Sequence, residues 1–172
     1  LQVSEEKLLK IGSGDYDFVA KIANPNVSYG ASEVAYSVGL AGLGTRQGIT
    51  YILPGQTKYV VLTSLRTDSE VSSAGLKINS VQWEKLDMPS GEVNLINRRG
   101  DFLNTPSGGS FEGVVFNDSN YDFDSVEVSV VLFDSFSNIV GVNRTEIRTL
   151  LAKTERSYKV TWPSQIESVA RT

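Results

Sequence analysis

The chain has 172 residues, a net charge of −4, no cysteine and no histidine. Without Cys there is no disulfide, thiolate nucleophile or Cys-based metal site, and without His the commonest general base and metal ligand are missing. Its 16 basic residues are scattered along the chain, which argues against a phosphate-binding surface and so against nucleic acid.

In chain order, Leu8, Leu9 and Ile11 in residues 3–11 could close a short helix or form a first edge strand, the strand being the favoured reading, followed by a turn at Gly12-Ser13-Gly14-Asp15. Residues 16–23 form a second strand, stopped at Asn24-Pro25-Asn26 because proline removes a ladder donor. Residues 34–41 pair with that strand or lie near it, and Gly42-Leu43-Gly44-Thr45 turns toward a strand at 47–53. Pro54-Gly55 makes a tight turn into residues 57–64, and 66–73 is polar loop. Residues 76–86 are a long strand with a bulge at Asn79-Ser80, where the apolar phase shifts from Leu76 and Ile78 to Val81 and Trp83. Residues 87–91 are a linker too short for independent tumbling, and 93–97 open a second domain. Residues 98–109 read as a Gly/Pro/Ser-rich connection. From Phe111 to Trp162 the sequence reads as four strands in succession. In the clearest of them Val126, Val128, Val130 and Leu132 share one face. Tyr158, Val160 and Trp162 alternate with Lys159 and Thr161 in the same way.

The first half repeats this plan. Phe18, Ile22 and Asn24 recur as Phe111, Val115 and Asn117, each 93 residues on. Val34, Tyr36, Val38 and Leu40 recur as Val126, Val128, Val130 and Leu132 at a distance of 92, and Tyr59 is matched to Tyr158 at 99. Spacings that change only in loops suit two copies of one fold, because loop length costs little entropy. The expected fold is all-β, two tandem immunoglobulin-like antiparallel β-sandwiches related by internal duplication, occupying residues 1–88 and 89–172.

The second half resembles the FxLYD domain family. Phe111, Gly113, Val115 and Asn117 match its F-x-G-x-V-x-N opening, and Leu132-Phe133-Asp134 its L-Y-D with Phe in place of Tyr. The first half keeps Phe18 and Asn24 but has Leu40-Ala41-Gly42 in place of L-Y-D. The whole chain is also similar to uncharacterised paired β-sandwich ectodomains of candidate-phylum bacteria. The shared stretches are Asn24-Pro25-Asn26, residues 53–59, residues 143–146 and Trp162-Pro163. That resemblance implies an envelope-exposed module tethered by one N-terminal membrane helix outside this chain. The chain begins at Leu1 without Met and is read as a processed or excised piece.

Candidate sites each have a plainer reading beside them. Asp118, Asn120, Asp122 and Asp124 alternate like the start of a calcium loop, but Phe123 stands where such a loop has Gly and Ser129 where it has Glu. The plainer reading is a solvated turn entering a strand, with Tyr121 and Phe123 as its buried half. Arg99-Gly100-Asp101 spells an adhesion tripeptide in an expected loop, a match too short to carry weight. The glycines from Gly39 to Gly44 precede a hairpin, whereas a phosphate loop needs a helix. Asn26, Asn117 and Asn143 open glycosylation sequons, and Glu5-Glu6, Asp15/Asp17 and Asp122/Asp124 are carboxylate pairs best read as solvation. Trp83, Tyr158 and Trp162 would make a sugar platform if exposed, but their phase puts them inside.

No spacing recommends catalysis, so the expectation is a non-enzymatic structural or protein-interaction module without cofactor. It would be a spacer, docking or assembly domain whose partner is another protein or a second copy joined through sheet edges. The alternative is a binding module for carbohydrate or calcium.

Overall fold

A computed structural model of the chain describes residues 1–86 and 93–172. It is all-β, in antiparallel sheets, and divides into two compact units, Leu1–Asp87 and Met88–Thr172. The linker expected at residues 87–91, and the boundary placed at 88/89, lie outside the described residues.

The first unit consists of β1 (Gln2–Lys10), β2 (Asp15–Ala23), β3 (Tyr29–Leu40), β4 (Gly44–Ile52), β5 (Thr57–Arg66) and β6 (Ala74–Lys85). They form two three-stranded sheets, ordered β1-β2-β5 and β4-β3-β6. The strand at 34–41 therefore pairs with β4 and β6 and makes no ladder with β2. Alternation sends Phe18, Ala20 and Ile22 of β2 into one core with Val34, Val38 and Leu40 of β3. Ile52, Val60 and Leu76 complete it from β4, β5 and β6.

The bulge expected near Asn79-Ser80 is present. Ala35 pairs with Ser80 while Tyr36 pairs with Ile78, so Asn79 is the extra residue. A second bulge lies in β5, where two residues oppose Asp17 between the Tyr16–Leu65 and Phe18–Leu62 pairs. Ser64 takes the left-handed conformation there, at φ 58°. The β3–β4 turn explains its glycines, since Gly42 and Gly44 both have positive φ (91° and 85°).

The second unit consists of β7 (Leu95–Thr105), β8 (Gly108–Asn117), β9 (Phe123–Phe133), β10 (Ile139–Leu150) and β11 (Glu155–Trp162). One sheet is ordered β11-β8-β7 and the other is the pair β10-β9. Val130, Leu132, Phe111, Val160 and Trp162 form the core, with Val126 and Val128 packed against it half-buried.

Four expectations are corrected. Residues 98–105 are strand, not connection: they complete β7, and only Pro106 and Ser107 turn the chain back into β8. The Gly-rich composition misled because Gly100 and Gly109 lie against aromatic rings, as Gly113 does further along β8. A Cβ on Gly100 would collide with the Phe111 ring, and one on Gly113 with the Tyr158 ring. The Arg99-Gly100-Asp101 tripeptide is accordingly strand, paired with Val114, Gly113 and Glu112. Trp83 follows Val81 in phase but is 42% exposed, near the end of β6 opposite the small Ala31. Tyr121 is likewise exposed.

The fourth correction concerns the tyrosines. Tyr59 pairs with Lys21 and Tyr158 with Gly113, yet Lys21 lies three residues before Asn24 whereas Gly113 lies four before Asn117. Counted from the asparagines, Tyr158 stands in the place of Val60. A slip of one residue turns a strand side chain to the other face, so Tyr59 is half-buried with its hydroxyl on Glu5 while Tyr158 is buried.

Candidate functional sites

Among the described residues four polar ones are buried: Asp17, Asn24, Asn117 and Ser119. A buried polar side chain must find partners or cost stability, so where each one bonds says what it is for.

Asn24 ends β2. Its Nδ2 donates to the carbonyls of Tyr29 (2.7 Å) and Leu53 (3.0 Å), and its Oδ1 accepts from the Asn26 N–H (3.1 Å). Asn117 ends β8 in the same manner. Its Nδ2 donates to the carbonyls of Tyr121 (2.7 Å), Leu151 (3.2 Å) and Leu150 (3.3 Å). Its Oδ1 accepts from the Ser119 N–H (3.0 Å) and hydroxyl (2.6 Å). The backbone repeats the scheme, with Asn24 N–H donating to Gln56 and Asn117 N–H to Thr154, both at 2.9 Å. Each asparagine thus ties a strand end both to the loop that follows it and to a second loop 29 to 34 residues on. Asn117 is also the head of a sequon, but its amide is fully buried and triply bonded in the fold, which leaves no nitrogen for a glycan.

Asp17 fills the bulge of β5, accepting the Ser64 N–H at 2.9 Å. Burial raises its pKa above the ordinary carboxylate value; the Ser64 bond opposes that, and neighbouring Asp15 adds to it. Asp15 itself is paired with Arg66 at 2.8 Å on the exposed side. The adjacent Glu5 and Glu6 part in the same way: Glu5 accepts from Lys21 (2.8 Å), and Glu6 accepts the Leu76 N–H of β6 (2.5 Å). These carboxylates are bound to separate partners, which is not the shared-site geometry of a carboxylate dyad.

The calcium-like series is dispersed. Asp118 is paired with Lys153 (3.1 Å), and Asp122 accepts the Ala152 N–H (2.7 Å). Asn120 and Asp124 are exposed. Among the described residues no three acidic side chains gather closely enough to hold a metal. Sequence reasoning overlooked Asp134, whose Oδ1 accepts from the N–H groups of Phe136 and Asn138, both at 2.8 Å, and so shapes the β9–β10 hairpin. An Asp followed by Ser and Asn is the local signal for such a turn.

Of the aromatic trio, Trp162 is buried edge-on against Phe102, with Nε1 donating to the Val142 carbonyl at 3.1 Å. Tyr158 lies beside Phe111, and its burial raises the phenol pKa. Two depressions mark the surface of the second unit. One, of about 450 Å³, includes Asp101, Glu112 and Lys159 in its lining, and Glu112 and Lys159 are paired across 2.7 Å. The other, of about 620 Å³, lies between β10 and β11 and includes Glu146 and Arg148. A hydrogen bond from the Ser125 hydroxyl, then the Arg148 guanidinium, holds Glu146 below the usual carboxylate range. Exposed large apolar side chains are spread over both units, Val27 and Phe136 among them, and edge strand β4 carries two on one face, Ile49 (68%) and Tyr51 (55%).

No protein-family model matches the chain, and no curated protein is significantly similar to it.

Proposed function

We propose that the chain is a non-enzymatic structural or protein-interaction module made of two immunoglobulin-like sandwiches, copies of one ancestral unit. It acts as a spacer, docking or assembly domain on the outside of a cell envelope, held there by a tether outside these residues. The copy reading is supported by Asn24 and Asn117, which share their position, acceptors and backbone bonds despite a different spacing in the following loops. The likeness of Phe111, Gly113, Val115, Asn117 and Leu132-Phe133-Asp134 to the FxLYD pattern supports the same reading.

One contrast carries the functional part. The buried polar groups are engaged with their own unit's backbone or neighbours, whereas edge strand β4 turns Ile49 and Tyr51 to solvent. A strand edge flanked by exposed apolar side chains is suited to main-chain pairing with another strand. Sedimentation of the full chain from micromolar to millimolar concentration tests this. Association that disappears in Ile49→Lys supports assembly through β4. A monomer throughout, with Ile49→Lys also leaving capture by envelope proteins unchanged, contradicts it.

A further inference from the structure

The two units differ in one strand. In the first, β3 is flanked on both sides, by β4 and by β6, and its pairing with β6 runs from Leu40–Ala74 to Tyr29–Lys85. In the second, among the described residues, β10 is the one strand that pairs with β9, apart from a single bridge at Phe133. Counted from the shared asparagine wiring, Val34 corresponds to Val126, Leu40 to Leu132, Leu53 to Leu151 and Ser73 to Arg171. The first unit's Ala41 N–H donates to the Ser73 carbonyl at 3.0 Å, one residue before β6 begins. At the matching place the Phe133 N–H donates to the Arg171 carbonyl at 2.8 Å, and the Arg171 guanidinium lies 4.0 Å over the Phe133 ring. The segment after Trp162 therefore reaches the start of the β6 position, in β6 register.

Two consequences of the open side are visible. Backbone groups alternate sides along a strand, so the N–H and C=O of Val131, Ser129, Glu127 and Ser125 face the same way as those of Phe133. Among the described residues no strand pairs with them. Val34, under β6, is fully buried, whereas its counterpart Val126 is half-buried. In the first unit Leu76, Ile78 and Val81 of β6 supply the cover.

We infer that the free side of β9 is a strand-acceptor site. Its occupant is a β6-like strand joined in cis to Arg171 and Thr172, running antiparallel to β9 with alternate aliphatic side chains over Val126 and Val128. The inference rests on reading the two units as copies. Direction and register favour this occupant over a foreign peptide or a second copy, because the Arg171 bridge already sets both.

The test extends the full chain past Thr172 with a copy of residues 75–85, Trp83→Phe being made in both the chain and the copy. Trp162 then reports on the second unit alone. The extension should raise the Trp162 unfolding midpoint by about 5 °C or more. It should also slow amide exchange at Ser129 and Val131 on the order of a hundredfold. The same extension with Ser replacing the residues copied from Leu76, Ile78 and Val81 should do neither. No gain from the aliphatic extension overturns the inference. So does equal stabilisation by the same peptide added free at micromolar concentration, or protection of Ser129 and Val131 in the unextended chain that grows with its concentration. Failure of the copy reading registers separately, as Asn24→Leu and Asn117→Leu variants of which only one destabilises its own unit.

Discussion

Replacing Asn117 by Leu keeps the approximate size of the side chain and removes every polar atom from a fully buried position. The Ser119 N–H loses its acceptor at 3.0 Å, and the buried Leu150 carbonyl loses its donor at 3.3 Å. The Ser119 hydroxyl retains the Tyr121 carbonyl at 3.3 Å, so it is not stranded. Each buried group left without a partner costs about 1–3 kcal/mol, and two of them give roughly 2–6 kcal/mol. A unit of this size has only about 4–13 kcal/mol in total, at roughly 0.05–0.15 kcal/mol per residue. The variant should therefore lose from about a sixth to all of the second unit's stability. Urea unfolding followed by Trp162 fluorescence, in a Trp83→Phe background, measures the loss. A cost below about 1 kcal/mol would refute the reasoning, because it would mean that loops 119–121 and 150–151 hold together without the asparagine.

Asp17→Asn should preserve the acceptor for Ser64 and remove a buried charge. Because burial raises the folded-state pKa, the folded protein binds this proton more tightly than the unfolded chain. Its contribution to stability therefore falls as pH rises from the ordinary carboxylate value through the raised one. Urea midpoints between acid and neutral pH should show that slope in the native chain and lack it in Asp17→Asn, with Asp17→Ala losing about 1–3 kcal/mol at pH 7. Gly100→Ala and Gly113→Ala, which drive a Cβ into the Phe111 and Tyr158 rings, should each cost about 1–3 kcal/mol in thermal unfolding. Gly39→Ala, with open space around the new Cβ, should stay within about 1 kcal/mol and serves as the control. Millimolar calcium should leave the melting midpoint unchanged within about 1 °C, since Asp118 and Asp122 are engaged and, among the described residues, no three acidic side chains gather closely enough to hold the ion. A calcium-dependent rise that Asp122→Asn abolishes would restore the ion-binding alternative.

Alternation was readable wherever one face of a strand is buried. The Val126, Val128, Val130 and Leu132 row and the phase shift at Asn79 both declare themselves because core contact selects every second residue. β7 escaped detection because its middle is Arg98, Arg99, Gly100 and Asp101: its exposed positions are charged and its close contact is made by a glycine. Tyr59 and Tyr158 invited a false match because aromatic identity outweighed phase, and only the partners opposite them, Lys21 and Gly113, fix the register. The Asn24 and Asn117 repeat was visible, but the bonds that give it meaning join loops about thirty residues away in sequence. The open side of β9 has no local signature at all, since it is defined by which strand stands beside which.

The central claim is that both units share one asparagine-knotted wiring and that, among the described residues, no strand stands beside β9 where β6 flanks β3. Residue-resolved amide exchange on the full chain tests it most directly. Ser37 and Gly39, whose backbone groups face β6, should be strongly protected, while their counterparts Ser129 and Val131 exchange quickly and Val130 and Leu132, facing β10, are protected. Equal protection of Ser129 and Val131 with Ser37 and Gly39, at every protein concentration, would contradict the account.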